Sequence, residues 1–172
     1  MTRYLFTLLA SIFLLTGCGT VAFTPTEYPL RDGLIPTFDV AGEVAITNIQ
    51  TSSAPAIVYS YAGSKFSSDL KTITEVMVQQ AVKELRKNSR KIKSKTKAPK
   101  SIKLKVNSLL SKYIAFFWKS NIQFEATLGD GQVVSFRVPH SSGVLQQDLN
   151  GCIAEGVLFL LKDEQVRSYL AK

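Results

Sequence analysis

The chain has 172 residues, one histidine, two cysteines and a formal net charge of +8. That length suits one folded domain after any targeting segment, and two cysteines are too few for a disulfide framework or a Cys-rich metal site. The basic excess is local: 11 basic residues and a single acid, Glu84, lie between Lys83 and Lys105, which marks one feature and not a generally basic protein.

Arg3 supplies one positive charge ahead of an apolar run, Leu5 to Leu15, interrupted only by Thr7 and Ser11. Charge, apolar run and small residues in that order are a signal peptide, residues 1–17. The run is about half of the ~20 apolar residues a permanent membrane helix needs. Leu15-Thr16-Gly17-Cys18 then resembles the bacterial lipobox. The resemblance implies cleavage between Gly17 and Cys18, a diacylglycerol on the Cys18 thiol and acylation of its new amino group, and more than one acyl chain gives stable anchorage. Gly19, and not Asp, follows the cysteine; by the same resemblance this implies the outer membrane, with the domain facing the periplasm. A Gram-positive cell surface is the alternative. Cys152 is left as the lone thiol, expected as a small buried hydrophobe.

Residues 18–36 contain Pro25, Pro29 and Pro36 without periodicity and are predicted to be the lipidated cysteine and a flexible tether. A single domain is expected over 37–172. Phe38, Val40, Gly42, Val44 and Ile46 recur at every second position, predicting a half-buried strand, and Ala56 to Tyr61 a short second one. Ser67 or Ser68 is the expected cap of a helix to Asn88, whose stripe is Leu70, Ile73, Met77, Ala81 and Leu85. Lysines at 91, 93, 95 and 97 alternate with smaller residues, so an extended backbone would align four amines.

Ser101 to Leu110 predicts a strand with Lys103 and Lys105 pointing away from Ile102, Leu104 and Val106. Tyr113 to Leu128 continues in strand-like residues, Gly129-Asp130-Gly131 signals a hairpin, and Val133 to Val138 returns until Pro139. Ser141 or Ser142 is the expected cap of a helix over 143–161, and 163–170 reads as a further short helix. Two helices with single apolar stripes and a sheet with one apolar face predict an α+β domain: an antiparallel sheet of about four to five strands with two long helices packed on one face. The lipobox, an early strand, an amphipathic helix, a long hairpin and a closing helix followed by Asp-Glu-Gln-Val-Arg-Ser-Tyr-Leu at 163–170 together resemble the YajG-like outer-membrane lipoproteins. That group supplies no catalytic residues to carry over.

His140 has no Gly-x-Ser-x-Gly elbow beside it, and no His-Glu-x-x-His helix or phosphate-cradling loop occurs. His140 is expected in a solvated loop, Asp32 and Asp130 in turns, and no catalysis, metal or cofactor is expected beyond the covalent lipid on Cys18. The Lys83–Lys105 run reads either as a solvated loop guarding a sheet edge or as a contact for an anionic envelope partner, with Lys91, Lys93, Lys95, Lys97, Lys103 and Lys105 as contacts. The partner would be an envelope protein or anionic lipid; nucleic acid is excluded by the compartment. Tyr113, Phe116, Phe117 and Trp118, between Lys112 and Lys119, are expected to pack in the core; exposed, they would suit a membrane interface or a protein groove. An accessory subunit of a lipid-transport system, holding an acyl chain in an apolar groove, is the alternative function.

Overall fold

Alternation of apolar and polar residues over 100–142 builds the centre of the molecule. A computed structural model describes residues 19–92 and 99–172. In chain order the elements are β1 (Thr20–Ala22), β2 (Phe38–Ala41), β3 (Val44–Asn48), β4 (Pro55–Tyr61), β5 (Ser64–Asp69), α1 (Leu70–Asn88), β6 (Ser89–Ile92), β7 (Lys100–Ile114), β8 (Phe117–Leu128), β9 (Val133–Ser142), α2 (Leu145–Lys162) and α3 (Glu164–Ala171). The protein is α+β. Its main sheet runs β1-β5-β4-β7-β8-β9, with β3 also on β7, and β2 and β6 form a separate parallel pair.

The sheet differs from the expected antiparallel one of four to five strands: it has seven strands and is mixed. β3 and β4 lie one after the other along a single edge of β7, both parallel to it. The chain reaches β7 from them only after α1, and a crossover through a helix returns a strand in the same direction. β5, Ser-Lys-Phe-Ser-Ser-Asp, has too little apolar character to announce itself, yet pairs antiparallel with β4 and is flanked by β1. Between β3 and β4 the edge of β7 is completed by side chains: Gln50 donates to the Val106 carbonyl at 2.6 Å, and the Val106 N–H donates to Thr74 Oγ1 at 3.2 Å. Buried backbone groups without a strand partner are thereby satisfied.

Ile102, Leu104 and Val106 of β7 face Leu128, Ala126 and Phe124 of β8, all buried. A bulge between Val106 and Ser108 inserts Asn107, so the inward positions become Leu109, Ser111 and Tyr113. One extra residue moves every later side chain to the other face. β9 continues through Pro139, expected to end it, to Ser142. β9 is an edge strand, where a residue lacking an N–H is tolerated.

α1 and α2 pack against β7–β9 and against each other. Asp69, not Ser67 or Ser68, caps α1: its carboxylate accepts from the Thr72 amide and hydroxyl, both at 2.7 Å. These bonds hold the Asp69 carboxyl below its usual pKa. Val144 occupies the cap position of α2 without a side-chain bond, although the Val144 N–H donates to Ser142 Oγ at 3.4 Å. Gly156 lets α2 approach closely, since a Cβ there would stand 3.2 Å from Met77 and 3.3 Å from Phe124. The space between helices and sheet is filled at this point.

Residues 19–36 are packed and do not trail as a flexible tether. After β1, Phe23 and Ile35 are buried in the core cluster. Thr26 bonds Asn150, the Gln80 amide donates to the Tyr28 carbonyl, and Arg167 donates to that of Pro36. Glu27 pairs with Lys83 and Asp32 with Lys87, lowering the Asp32 pKa and raising both lysines. The strap crosses α1 and α2. Two apolar anchors twelve positions apart in a proline-containing stretch carry no local period, so pattern alone reads the strap as a linker.

Candidate functional site

The exposed chemistry collects at the two ends of β7, whose 15 residues span about 50 Å at ~3.3 Å per residue. At the far end of β7 the chain reverses into β8 through Ala115 and Phe116, with φ of 39° and 81°. Positive φ at both positions is the requirement of a type I′ two-residue hairpin loop, which normally recruits Asn-Gly; Ala and Phe occupy it here against steric preference. Phe116 is 85% exposed and Phe117 46%. The aromatic cluster expected in the core is therefore divided. Phe116 and Phe117 project at the tip, while Tyr113 lies between Tyr61 and Trp118, its ring 5.4 and 5.1 Å from theirs.

Behind the tip, on the sheet face opposite the helices, Ile114 pairs with Phe117 and Lys112 with Lys119. Like charges directly opposite on adjacent strands destabilise a sheet, and neither lysine forms an ion pair among the described residues.

At the other end, β2, β3, β6 and the last turns of α1 enclose a groove of about 430 Å³, lined by Val40, Val44, Ile46, Val82 and Leu85 with Arg86 and Lys91 among its polar residues. Glu43 also lines it. The candidate lysines do not form one surface. Lys91 reaches this groove beside α1, whereas Lys103 and Lys105 lie on the opposite face of β7, where Lys105 is paired in register with Glu125. The sheet separates the two sets. Lys93, Lys95 and Lys97, like Gly17 and Cys18, lie outside the described residues. Other cations of the run are engaged: Lys83 and Lys87 by the strap, Arg90 by Asp39 at 2.6 Å, and Lys100 above the Tyr169 ring at 4.9 Å. Sequence reasoning missed these pairings because each partner is remote in the chain.

Asp148 is 0% exposed and accepts from Ser111 Oγ at 2.7 Å and from Ser120 Oγ. His140, expected in a solvated loop, is half-buried in β9, opposite Ser120, and packs on Gly151. A serine, a histidine and a carboxylate are thus neighbours. Their order is not that of a nucleophilic triad, in which the histidine stands between the other two: both serines bond the aspartate directly, and serines and aspartate are buried from substrate. Cys152 is free and buried, and burial followed by the Asp148 charge pushes its thiol pKa far up, away from reactivity.

Among the described residues no group of His, Cys, Asp and Glu is gathered for a metal ion, and no helix is long and apolar enough to cross a membrane. The fold and surfaces define the class: an α+β domain with a filled core, a groove beside the last turns of α1 and an aromatic-tipped hairpin. No protein-family model matches the chain, and no curated protein is detectably similar to it.

Proposed function

We propose that this protein is a bacterial envelope lipoprotein, held in the outer membrane by lipid on Cys18, whose periplasmic domain binds another envelope component, a protein or an anionic lipid, and catalyses nothing. The observation that carries the reading is Leu15-Thr16-Gly17-Cys18 closing a charged and apolar leader directly ahead of a folded domain whose first strand begins at Thr20. Membership of the YajG-like group belongs to the same proposal and rests on element order. Intact-mass analysis of membrane-extracted protein is expected to give a chain beginning at Cys18 and carrying diacylglycerol and an acyl group. A soluble, unmodified chain sinks the reading.

The partner contact is sought in two sets, because the sheet divides the lysines. Reversal to Glu of Lys91 at the groove, together with Lys93, Lys95 and Lys97 that follow it in the chain, is one set, and of Lys103 and Lys105 on the open sheet face the other. Cross-linking in intact cells should lose its partner with one set; retention with both removes these lysines as contacts.

A second reading is favoured by the groove itself. Its mixed lining sets Val40, Val44, Ile46, Val82 and Leu85 beside Arg86, Lys91 and the single acid Glu43, which suits an anionic amphiphile, as an accessory lipoprotein of lipid transport would require. Native mass spectrometry should then show co-purified lipid that Val82→Trp displaces; protein free of lipid rules it out.

A further inference from the structure

We infer that the β7–β8 hairpin end is a membrane seat: its aromatic tip enters the interface of an anionic bilayer while a row of lysines engages lipid phosphates. The hairpin alone carries the argument, and the anchor reading of Cys18 supports it independently.

The residues are layered along the strand axis in the order a bilayer surface requires. Phe116 leads, then the exposed pair Ile114 and Phe117, then Lys112 and Lys119 two residues further back. Two residues of strand are about 7 Å, which matches the depth of about 5–10 Å to which apolar faces enter the headgroup–acyl boundary. With the rings at that depth, the amines stand level with the phosphates. Tyr61, Tyr113 and Trp118 occupy the same level on the other face of the sheet, and Tyr and Trp are the side chains that accumulate at membrane interfaces.

Charge complementarity selects an anionic surface. Register carries the lysine row across the sheet: Lys119 pairs with Lys112, Tyr59 pairs with Ser111 one step before it, and Ser60 pairs with Lys65. Segments 19–26, 57–66, 109–121 and 137–147, which form this end, contain no Asp or Glu, and the nearest acid, Asp148, is buried beneath them. An acidic protein would need an apolar pocket for the 85% exposed Phe116 at the apex as well as acids for the lysines, and would not call for their layering by depth. A bilayer answers both.

The chain enters the domain at this same end. Thr20 of β1 is paired with Lys65, so the strand that begins two positions after Cys18 in the sequence starts level with the lysine row. Lipid on Cys18 and the hairpin tip would meet one surface together, leaving the groove at the opposite end of β7 far from that bilayer and open to a periplasmic partner.

Trp118 is the only tryptophan, which allows a local probe. The full-length protein carrying Phe116→Trp with Trp118→Phe is reconstituted in vesicles of phosphatidylethanolamine and phosphatidylglycerol, with brominated acyl chains as quenchers. The expected result is loss of more than half of the emission, and Lys112→Glu with Lys119→Glu should weaken it on the order of tenfold. The charge variants are surface changes, and unchanged thermal unfolding confirms that they fold. Emission untouched by bromine overturns the proposal, as does quenching that is equal in phosphatidylcholine vesicles and indifferent to charge reversal. Cross-linking from position 116 to a protein in cells, without quenching in vesicles, likewise overturns it. Intact mass reports Cys18 separately: lipidated protein without quenching refutes the seat alone, while unlipidated protein whose tip is still quenched by anionic vesicles refutes the anchor alone.

Discussion

The two ends of β7 use similar residues in opposite ways. At the hairpin end the apolar side chains, cations and aromatic rings are layered, with no surface acid among them, and Lys112 faces Lys119 without relief. At the groove end, acids and bases interleave: Glu27, Asp32 and Asp39 each hold a basic residue of the lysine-rich run. The comparison teaches that the density of charge along a sequence is a poor guide to the charge available for binding. The run with the largest excess is partly neutralised by remote partners, while two lysines seven positions apart stand opposite each other with no ion pair among the described residues.

The largest test asks whether the two ends share one core. Phe124 is buried and stacked on Phe136 at 4.6 Å, beneath Gly156. Phe124→Ala should cost about 3–5 kcal/mol in a single denaturant transition, read alike by Trp118 emission at the tip and by far-ultraviolet circular dichroism. Separate transitions would make the comparison one between two independent units.

Asp148→Ala comes next, because it strands the buried hydroxyls of Ser111 and Ser120 at the base of the hairpin. A loss of about 1–3 kcal/mol is expected. Amide exchange should accelerate over 111–120 and stay unchanged over 100–106; uniform acceleration would show that the hairpin base has no stability of its own.

Asp69→Ala removes the cap of α1, the helix that flanks the groove, and should cost about 1 kcal/mol at neutral pH. The Thr72 bonds keep the folded carboxyl below its ordinary pKa, so the contribution is complete above about pH 4. It disappears as the pH falls through the lower folded value. The gap between wild type and variant should therefore close in acid, and a gap independent of pH contradicts the charged cap.

The smallest effect has the opposite sign. Ala115→Asn with Phe116→Gly installs the residues that the turn prefers. Counting relief of about 1–2 kcal/mol only at position 116, where the Cβ is removed, and offsetting it by the about 0.5–1 kcal/mol entropy of glycine, leaves a gain of roughly 0.5 kcal/mol. With the native Trp118 as reporter, quenching by brominated anionic vesicles should fall in the same variant. A gain in stability with quenching retained would detach the aromatic apex from the seat.

The helices were legible in the sequence because their stripes are local: Ile73, Met77, Ala81 and Leu85 return at helical spacing and are buried. The β8–β9 hairpin was legible for the same reason, with Gly131 at φ 89° and the Gln132 N–H donating to Asp130. β5 was not, since a polar strand is made by its neighbour's unpaired backbone and not by its own residues. Nor was the strap, whose anchors Phe23 and Ile35 gain meaning only against α1 and α2. Of the candidate contacts, Lys103 and Lys105 point away from Ile102 and Leu104 as alternation requires, but that they and Lys91 lie on different sides of the sheet depends on how β6 and β7 leave α1.

Contiguous residues settle what neighbours decide: the amphipathic periods of α1 and α2 and the alternation of β8. Tertiary structure alone decided what depends on register. Strict alternation from Ile102, Leu104 and Val106 would turn Lys112 inward; the extra residue at Asn107, fitted because β8 fixes the pairing on both sides of it, turns Lys112 out beside Lys119. Side-chain direction in a strand is a count of residues from its last fixed partner, and that partner is chosen by packing across the sheet, not by the strand itself.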